Sequence, residues 1–235
     1  MTSDPILELR HVSASYGAIE VLHDIDISVA RGEVVALLGP NGAGKTTAIK
    51  VACGLMRPSN GSLHIAGHDV TGVPANALAR VGVCTIPEGR GIFPNLSVRD
   101  NIIMAARDRA SVSVIEERSY SRFPILKERR DQLAGTLSGG QQQMLSLARG
   151  LATDPVVLML DEMSMGLAPL VVAELYEQVT AIAESGVSVL VVEQFARTVL
   201  GVADSAVVLS HGHVRFVGPA NQLDEETLSR AYLGS

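Results

Sequence analysis

The chain has no tryptophan, and aromatic residues make up 3% of its 235 positions. A broad stacking platform for single-stranded nucleic acid is thereby excluded, leaving Tyr16 as the single candidate for stacking on a base. Cysteine is scarce too. Cys53 and Cys84 stand apart without metal-ligand spacing, so no disulfide framework is expected and both read as small core residues in a reducing compartment. The six histidines show no metal-binding spacing either. Positive charge is in deficit, with a net charge of −6 and no basic face evident in chain order, which removes the electrostatic term that non-specific nucleic-acid binding depends on. Hydrophobic residues amount to 47%, ample for a core, yet no apolar run approaches the ~20 residues of a bilayer-spanning helix. Met1-Thr2-Ser3-Asp4-Pro5 is polar and runs straight into the alternating segment Ile6–Val12, so no secretory leader is expected and the chain is expected in the cytosol. The length suits one large domain, or one domain with an inserted subdomain.

What is present is a phosphate-binding string. Glu33-Val34-Val35-Ala36-Leu37-Leu38, bounded by Gly32 and Gly39, predicts a short buried strand, and Thr46 through Gly54 predicts a helix. Between them lies Gly39-Pro40-Asn41-Gly42-Ala43-Gly44-Lys45-Thr46. Its glycines let the backbone wrap a phosphate, with amide N–H groups and the helix N-terminus aimed at the anion. In such a loop Lys45 reaches the β- and γ-phosphates and the hydroxyl of Thr46 ligates Mg²⁺, with Thr47 counted among the nucleotide-binding residues. An ordinary glycine-rich turn has similar composition but lacks the strand-to-helix setting.

Pro155–Leu160 is a second buried-strand run, and it delivers Asp161 and Glu162 to the carboxyl end of a sheet. Asp161 is expected to hold Mg²⁺ through a coordinated water, and Glu162 to orient or deprotonate an attacking water. An isolated Asp-Glu pair could equally cap the next helix; the phosphate loop upstream favours the chemical role. Leu137-Ser138-Gly139-Gly140-Gln141 precedes helical apolar spacing at Met144, Leu145, Leu147, Ala148 and Leu151, which makes Ser138 an N-cap. Gly139 and Gly140 cost helix stability, so they favour a close approach of backbone to something outside the helix. Up to about Thr85 the chain reads as strands and turns, with Gly61, Gly67 and Gly72 as punctuation. From Ser97-Val98-Arg99-Asp100, a capping box with Asp in place of Glu or Gln, the patterning turns helical and resumes around Val112 to Tyr120. Lys127-Glu128-Arg129-Arg130-Asp131 reads as a solvated helix face. Residues 92–152 are therefore expected to form a helical subdomain inserted into a core of residues 1–91 and 153–235, all within one domain spanning 1–235.

In that order, the phosphate loop, the serine-diglycine string and the Asp-Glu pair resemble the ATP-binding-cassette ATPases over nearly the whole chain. The resemblance implies an α/β P-loop NTPase core, a RecA-like mixed sheet with helices, plus an N-terminal antiparallel β subdomain and an inserted α-helical subdomain. It implies ATP and Mg²⁺ as bound species and ATP hydrolysis coupled to transmembrane transport. It also implies that Ser138, Gly139 and Gly140 contact the γ-phosphate held by an opposite subunit, and that Tyr16 stacks on adenine. In Thr85-Ile86-Pro87-Glu88-Gly89-Arg90, Glu88 stands where many cassettes have a glutamine that senses Mg²⁺ and the γ-phosphate. A carboxylate is a stronger Mg²⁺ ligand; a solvated helix-end glutamate is the other reading of the residue. Gln194 stands where histidine is common, and it can donate a hydrogen bond to the γ-phosphate but cannot become cationic. Met163 replaces the proline that usually follows the Asp-Glu pair, while Ser164–Pro169 fills the loop that normally crosses the dimer interface.

Glu88, Gln194, Gly166-Leu167-Ala168-Pro169 and the run from Phe123 to Arg130 together resemble one of the two ATPase subunits of bacterial branched-chain amino-acid importers. That resemblance implies a second related cassette or a second copy, two transmembrane permease subunits and an extracytoplasmic solute-binding protein as partners. It places the chain peripherally on the inner face of the cell membrane, with no nucleic acid bound. An exporter or lipid-transport ATPase stays open as the competing reading. A DNA-repair or chromosome-maintenance ATPase would need a long coiled coil between Thr46 and Ser138, and a translation-associated one would carry two tandem cassettes; the sequence has neither.

Overall fold

Short apolar runs bounded by glycine form strands, and the computed structural model, which describes residues 5–89, 91–106 and 108–233, sorts them into two sheets. The polar Met1–Asp4 start and Arg90 lie outside the described residues. Two long antiparallel strands come first, β1 (Pro5–Tyr16) and β2 (Ile19–Ala30). Then β3 (Val34–Leu38) leads into α1 (Lys45–Ala52), the hairpin β4 (Asn60–Ile65) and β5 (His68–Asp69), α2 (Ala75–Arg80) and β6 (Val83–Ile86). Four helices follow: α3 (Val98–Ile103), α4 (Arg109–Arg122), α5 (Pro124–Glu128) and α6 (Gly139–Leu151). The chain closes with β7 (Val157–Asp161), α7 (Pro169–Glu184), β8 (Ser188–Glu193), α8 (Ala196–Val199), β9 (Ser205–Ser210), β10 (His213–Pro219) and α9 (Glu225–Leu233).

The antiparallel sheet has the order β2-β1-β4-β5, and the larger sheet β10-β9-β3-β8-β7-β6 is parallel except at β10. Strands β3, β7 and β8 are buried along their whole length, because both faces of the parallel sheet are covered. Val35, Leu37, Met159, Leu190 and Val192 face the core shared with the antiparallel sheet and α1. The alternate residues Ala36, Leu38, Leu158, Leu160, Val189 and Val191 pack with helices α3 through α7. The architecture is thus the α/β P-loop arrangement expected.

Element ends differ from expectation in a consistent way. The runs at 33–38 and 155–160 become strands 34–38 and 157–161. Apolar content marks the buried stretch, but the ladder decides its end: Asp161 pairs with Val192, and Leu38 with Glu193. The first strand continues to Tyr16 instead of ending at Val12, because β2 pairs with it as far as Ile19. The phosphate-loop helix starts at Lys45 and stops at Ala52, short of Gly54. At α3, Ser97 accepts from the Asp100 amide at 3.0 Å, but its hydroxyl donates to the Asp100 carboxylate at 2.6 Å. Aspartate's shorter side chain favours that contact over the backbone reach of a glutamate. Parallel strand order brings the residues following β3, β6, β7 and β8 to one edge of the sheet, where α/β proteins bind ligands.

Candidate functional site

At that edge the chain leaves β3 through Gly39 and turns into α1 at Lys45. Gly44 caps the helix with φ 106°, and a Cβ there would lie 2.6 Å from Leu22 Cδ2, so both conformation and space demand glycine. Lys45 is 5% exposed. Its ammonium donates to the carbonyls of Gly39 (2.9 Å) and Pro40 (3.3 Å) and lies 3.4 Å from Glu162 Oε1. Each of those acceptors is one that phosphate oxygens can replace. Asn41, Gly42 and Thr46 are exposed, whereas Ala43 and Thr47 are buried.

Tyr16 ends β1 with 48% of its surface exposed. Lys50 donates to its phenol oxygen at 3.1 Å and lies 5.4 Å from the ring centroid. The hydrogen bonds from Lys50 and then Thr47 lower the phenol's pKa.

Asp161, the last residue of β7, is buried, and Glu162 follows in a left-handed conformation with φ 47°. That conformation costs a non-glycine residue about 1–2 kcal/mol. The Glu162 amide donates to the Val192 carbonyl at 2.9 Å, tying the pair to β8. Burial first, then the charges of Glu162 and Glu88, pushes the Asp161 carboxyl from 3.8 to about 6, with Lys45 opposing. Glu88 itself is exposed just beyond β6. Gln194 is half-buried just beyond β8, and its carbonyl accepts from the Tyr232 hydroxyl at 2.9 Å.

Asp161 feels the negative charges of Glu162 and Glu88 with Lys45 as the opposing positive charge, an imbalance that calls for a cation. Among the described residues no group of three or more His, Cys, Asp or Glu could hold a metal unaided. That donor set suits Mg²⁺, which takes one or two carboxylates and completes its shell with water and substrate phosphate oxygens. The buried Asp161 and the exposed hydroxyl of Thr46 fit that requirement.

Ser138, Gly139 and Gly140 stand apart from this cluster. Ser138 accepts from the Gln141 amide at 3.4 Å while the Gln141 side chain accepts from the Ser138 amide at 3.1 Å, a full capping box. A Cβ on Gly140 would lie 2.4 Å from Val171 Cγ1. The close neighbour expected for the glycine pair is therefore, at Gly140, a residue of the same chain.

Sequence reasoning assigned no role to Glu193 or Gln143. Glu193 is 2% exposed and accepts from the Ser164 amide (3.0 Å), the Ser164 hydroxyl (2.8 Å) and the Tyr176 hydroxyl (2.6 Å). Burial, followed by the Glu193 charge, pushes the Tyr176 phenol up. Gln143 is 3% exposed and donates to the Met163 carbonyl at 2.9 Å. A glutamate closing an otherwise apolar strand was the one available signal.

The ABC transporter family profile matches residues 22–165. Over 211 residues the chain is 40% identical to the high-affinity branched-chain amino acid transport ATP-binding protein BraG of Pseudomonas aeruginosa, covering 89% of this chain and 91% of that one. It is 34% identical to the lipopolysaccharide export system ATP-binding protein LptB of Escherichia coli, covering 97% of each. A solved ADP conformation of an ATP-binding cassette of an ABC transporter superposes with a TM-score of 0.86, covering 99% of this chain and 100% of that one at 23% identity.

Proposed function

This chain belongs to the ABC transporter family as an ATP-binding, ATP-hydrolysing subunit, and from that premise we propose that it energises import of branched-chain amino acids or related small polar solutes. The observation that carries the site reading is the Lys45 ammonium held 3.4 Å from Glu162 beside a buried Asp161. In this reading Lys45 exchanges the Gly39 and Pro40 carbonyls for the β- and γ-phosphate oxygens of ATP, and Tyr16 lies along the adenine. Mg²⁺ held by Thr46 and Asp161, with Glu88 nearby, would offset charge developing on the phosphate oxygens. Glu162 orients a water and takes its proton as the water oxygen bonds to the γ-phosphorus, the bond to the β-bridging oxygen breaks and ADP leaves with that electron pair. Gln194 donates a hydrogen bond to the γ-phosphate without adding charge. Residues 92–152 act as the inserted unit that presents Ser138, Gly139 and Gly140 to the nucleotide of a second cassette.

The higher identity to the amino-acid transport relative, together with Glu88 and Gln194, supports import. Within that reading the chain docks with a second cassette on two permease subunits and works with an extracytoplasmic solute-binding protein. Similarity to the lipopolysaccharide export protein over nearly the full length is what keeps lipid export as the second reading. Purification of the chain with its native membrane subunits separates them. Import predicts permeases that take up amino acid into proteoliposomes in an ATP- and binding-protein-dependent way; subunits that extract lipid and leave amino acid outside would establish export.

A further inference from the structure

One buried peptide unit is gripped at both of its polar atoms by side chains from distant parts of the chain. The carbonyl of Met163 accepts from Gln143 Nε2 at 2.9 Å, and the amide of Ser164, on the other side of the same peptide bond, donates to Glu193 Oε1 at 3.0 Å. Gln143 comes from α6, the helix that begins at the serine-diglycine string, and Glu193 from the end of β8, next to Gln194. The Ser164 hydroxyl adds a second bond to Glu193 at 2.8 Å. The gripped peptide lies one residue beyond Glu162, whose left-handed φ of 47° persists only where the surroundings over-determine it.

Gln143 donates to the clamped carbonyl from a buried position. Its Oε1 is buried with no hydrogen-bond partner among the described residues, and leaving a buried acceptor unmade costs stability. Glu193 is likewise buried, and its partners among the described residues are three neutral donors.

We propose that Gln143 and Glu193 are positioning residues that clamp the Met163–Ser164 peptide, hold Glu162 in its working geometry and couple it to α6 and to the Gln194 end of β8. This rests on the reading of Glu162 as the carboxylate that activates water. Disturbing the clamp should lower kcat for ATP and leave nucleotide binding alone, because the carbonyls of Gly39 and Pro40 still hold Lys45 when its contact with Glu162 shifts.

The test uses the full chain, with steady-state hydrolysis of Mg-ATP, nucleotide affinity by calorimetry and Tm for each variant. Glu193→Gln and Gln143→Leu should each lower kcat by about tenfold or more with KM for ATP within about twofold. Because both side chains hold one peptide, the double variant should fall little further than the more damaging single one. Tyr176→Phe removes a donor to Glu193 that is not on the clamped segment, so it should lower Tm with kcat within about twofold of the parent. The clamp is overturned if both single variants keep kcat within about twofold, if their losses multiply, or if kcat follows Tm through all variants including Tyr176→Phe. Glu162→Gln is the control and should lose about 10²-fold or more. Parental turnover in Glu162→Gln would show the site reading itself wrong and remove the basis of the clamp; an inactive Glu162→Gln beside fully active Glu193→Gln and Gln143→Leu overturns the clamp alone.

Discussion

At the scale of single residues, burial and the neighbouring Glu162 and Glu88 lift the Asp161 carboxyl from 3.8 to about 6, so the folded chain holds that proton more tightly than the unfolded one. Its stabilising contribution is complete below the unfolded value and is lost as pH rises through the folded value. In metal-free, nucleotide-free protein, Asp161→Asn should therefore raise Tm at pH 8 relative to the parent, and the difference should shrink toward pH 4. A Tm gap that is flat across that range would show that neither burial nor the neighbouring carboxylates burden Asp161. Lys45 is the counterpart: Lys45→Ala removes the ammonium that faces Glu162 and the loop carbonyls. Affinity for ATP measured by calorimetry should fall by more than about tenfold, and an unchanged affinity would sink the phosphate-loop assignment.

At the scale of elements, α6 starts with two poor helix formers, Gly139 and Gly140, compensated by the capping box between Ser138 and Gln141. Alanine at position 140 would gain about 0.5–1 kcal/mol of helix propensity. It would also drive a methyl group to 2.4 Å from Val171 Cγ1 of α7, and overpacking of that kind costs about 1–3 kcal/mol. Urea unfolding should show Gly140→Ala no more stable than the parent, while Gly140→Ala with Val171→Ala recovers stability beyond the sum of the two single effects. Additive effects would mean that α7 yields freely and that the glycine is retained for something outside the chain.

At the scale of the whole molecule, the phosphate loop is proposed to hold its nucleotide on the core side, while the serine-diglycine helix start opens elsewhere, near Ile125, Met144 and Glu174. A second chain placed head to tail about a twofold axis would bring one such surface to the other's loop. Light scattering should find the isolated chain monomeric or weakly dimeric, with Mg-ATP and Glu162→Gln increasing the dimer. Ser138→Arg in that background places a bulky cation at the helix start and should abolish the nucleotide-dependent dimer; its undiminished formation would refute a shared site.

The sequence by itself determined which candidate groups stand together along the chain. Strand, glycine turn and helix follow one another closely between Val34 and Ala52, and Asp161 and Glu162 are adjacent on one strand end, so backbone conformation alone sets these groups in order. The α/β class was equally legible, because strands buried on both faces read as unbroken apolar runs. Only the tertiary structure decided which groups meet across the chain. Lys45 faces Glu162 over more than a hundred intervening residues, Glu193 reaches Ser164 and Tyr176, and Gln143 reaches Met163. Strand order settles those meetings: β3 and β7 both pair with β8, and no periodicity along the chain encodes which parallel strands become neighbours. The crowding at Gly140 was hidden in the same way, since the Val171 methyl that a Cβ there would meet belongs to another helix.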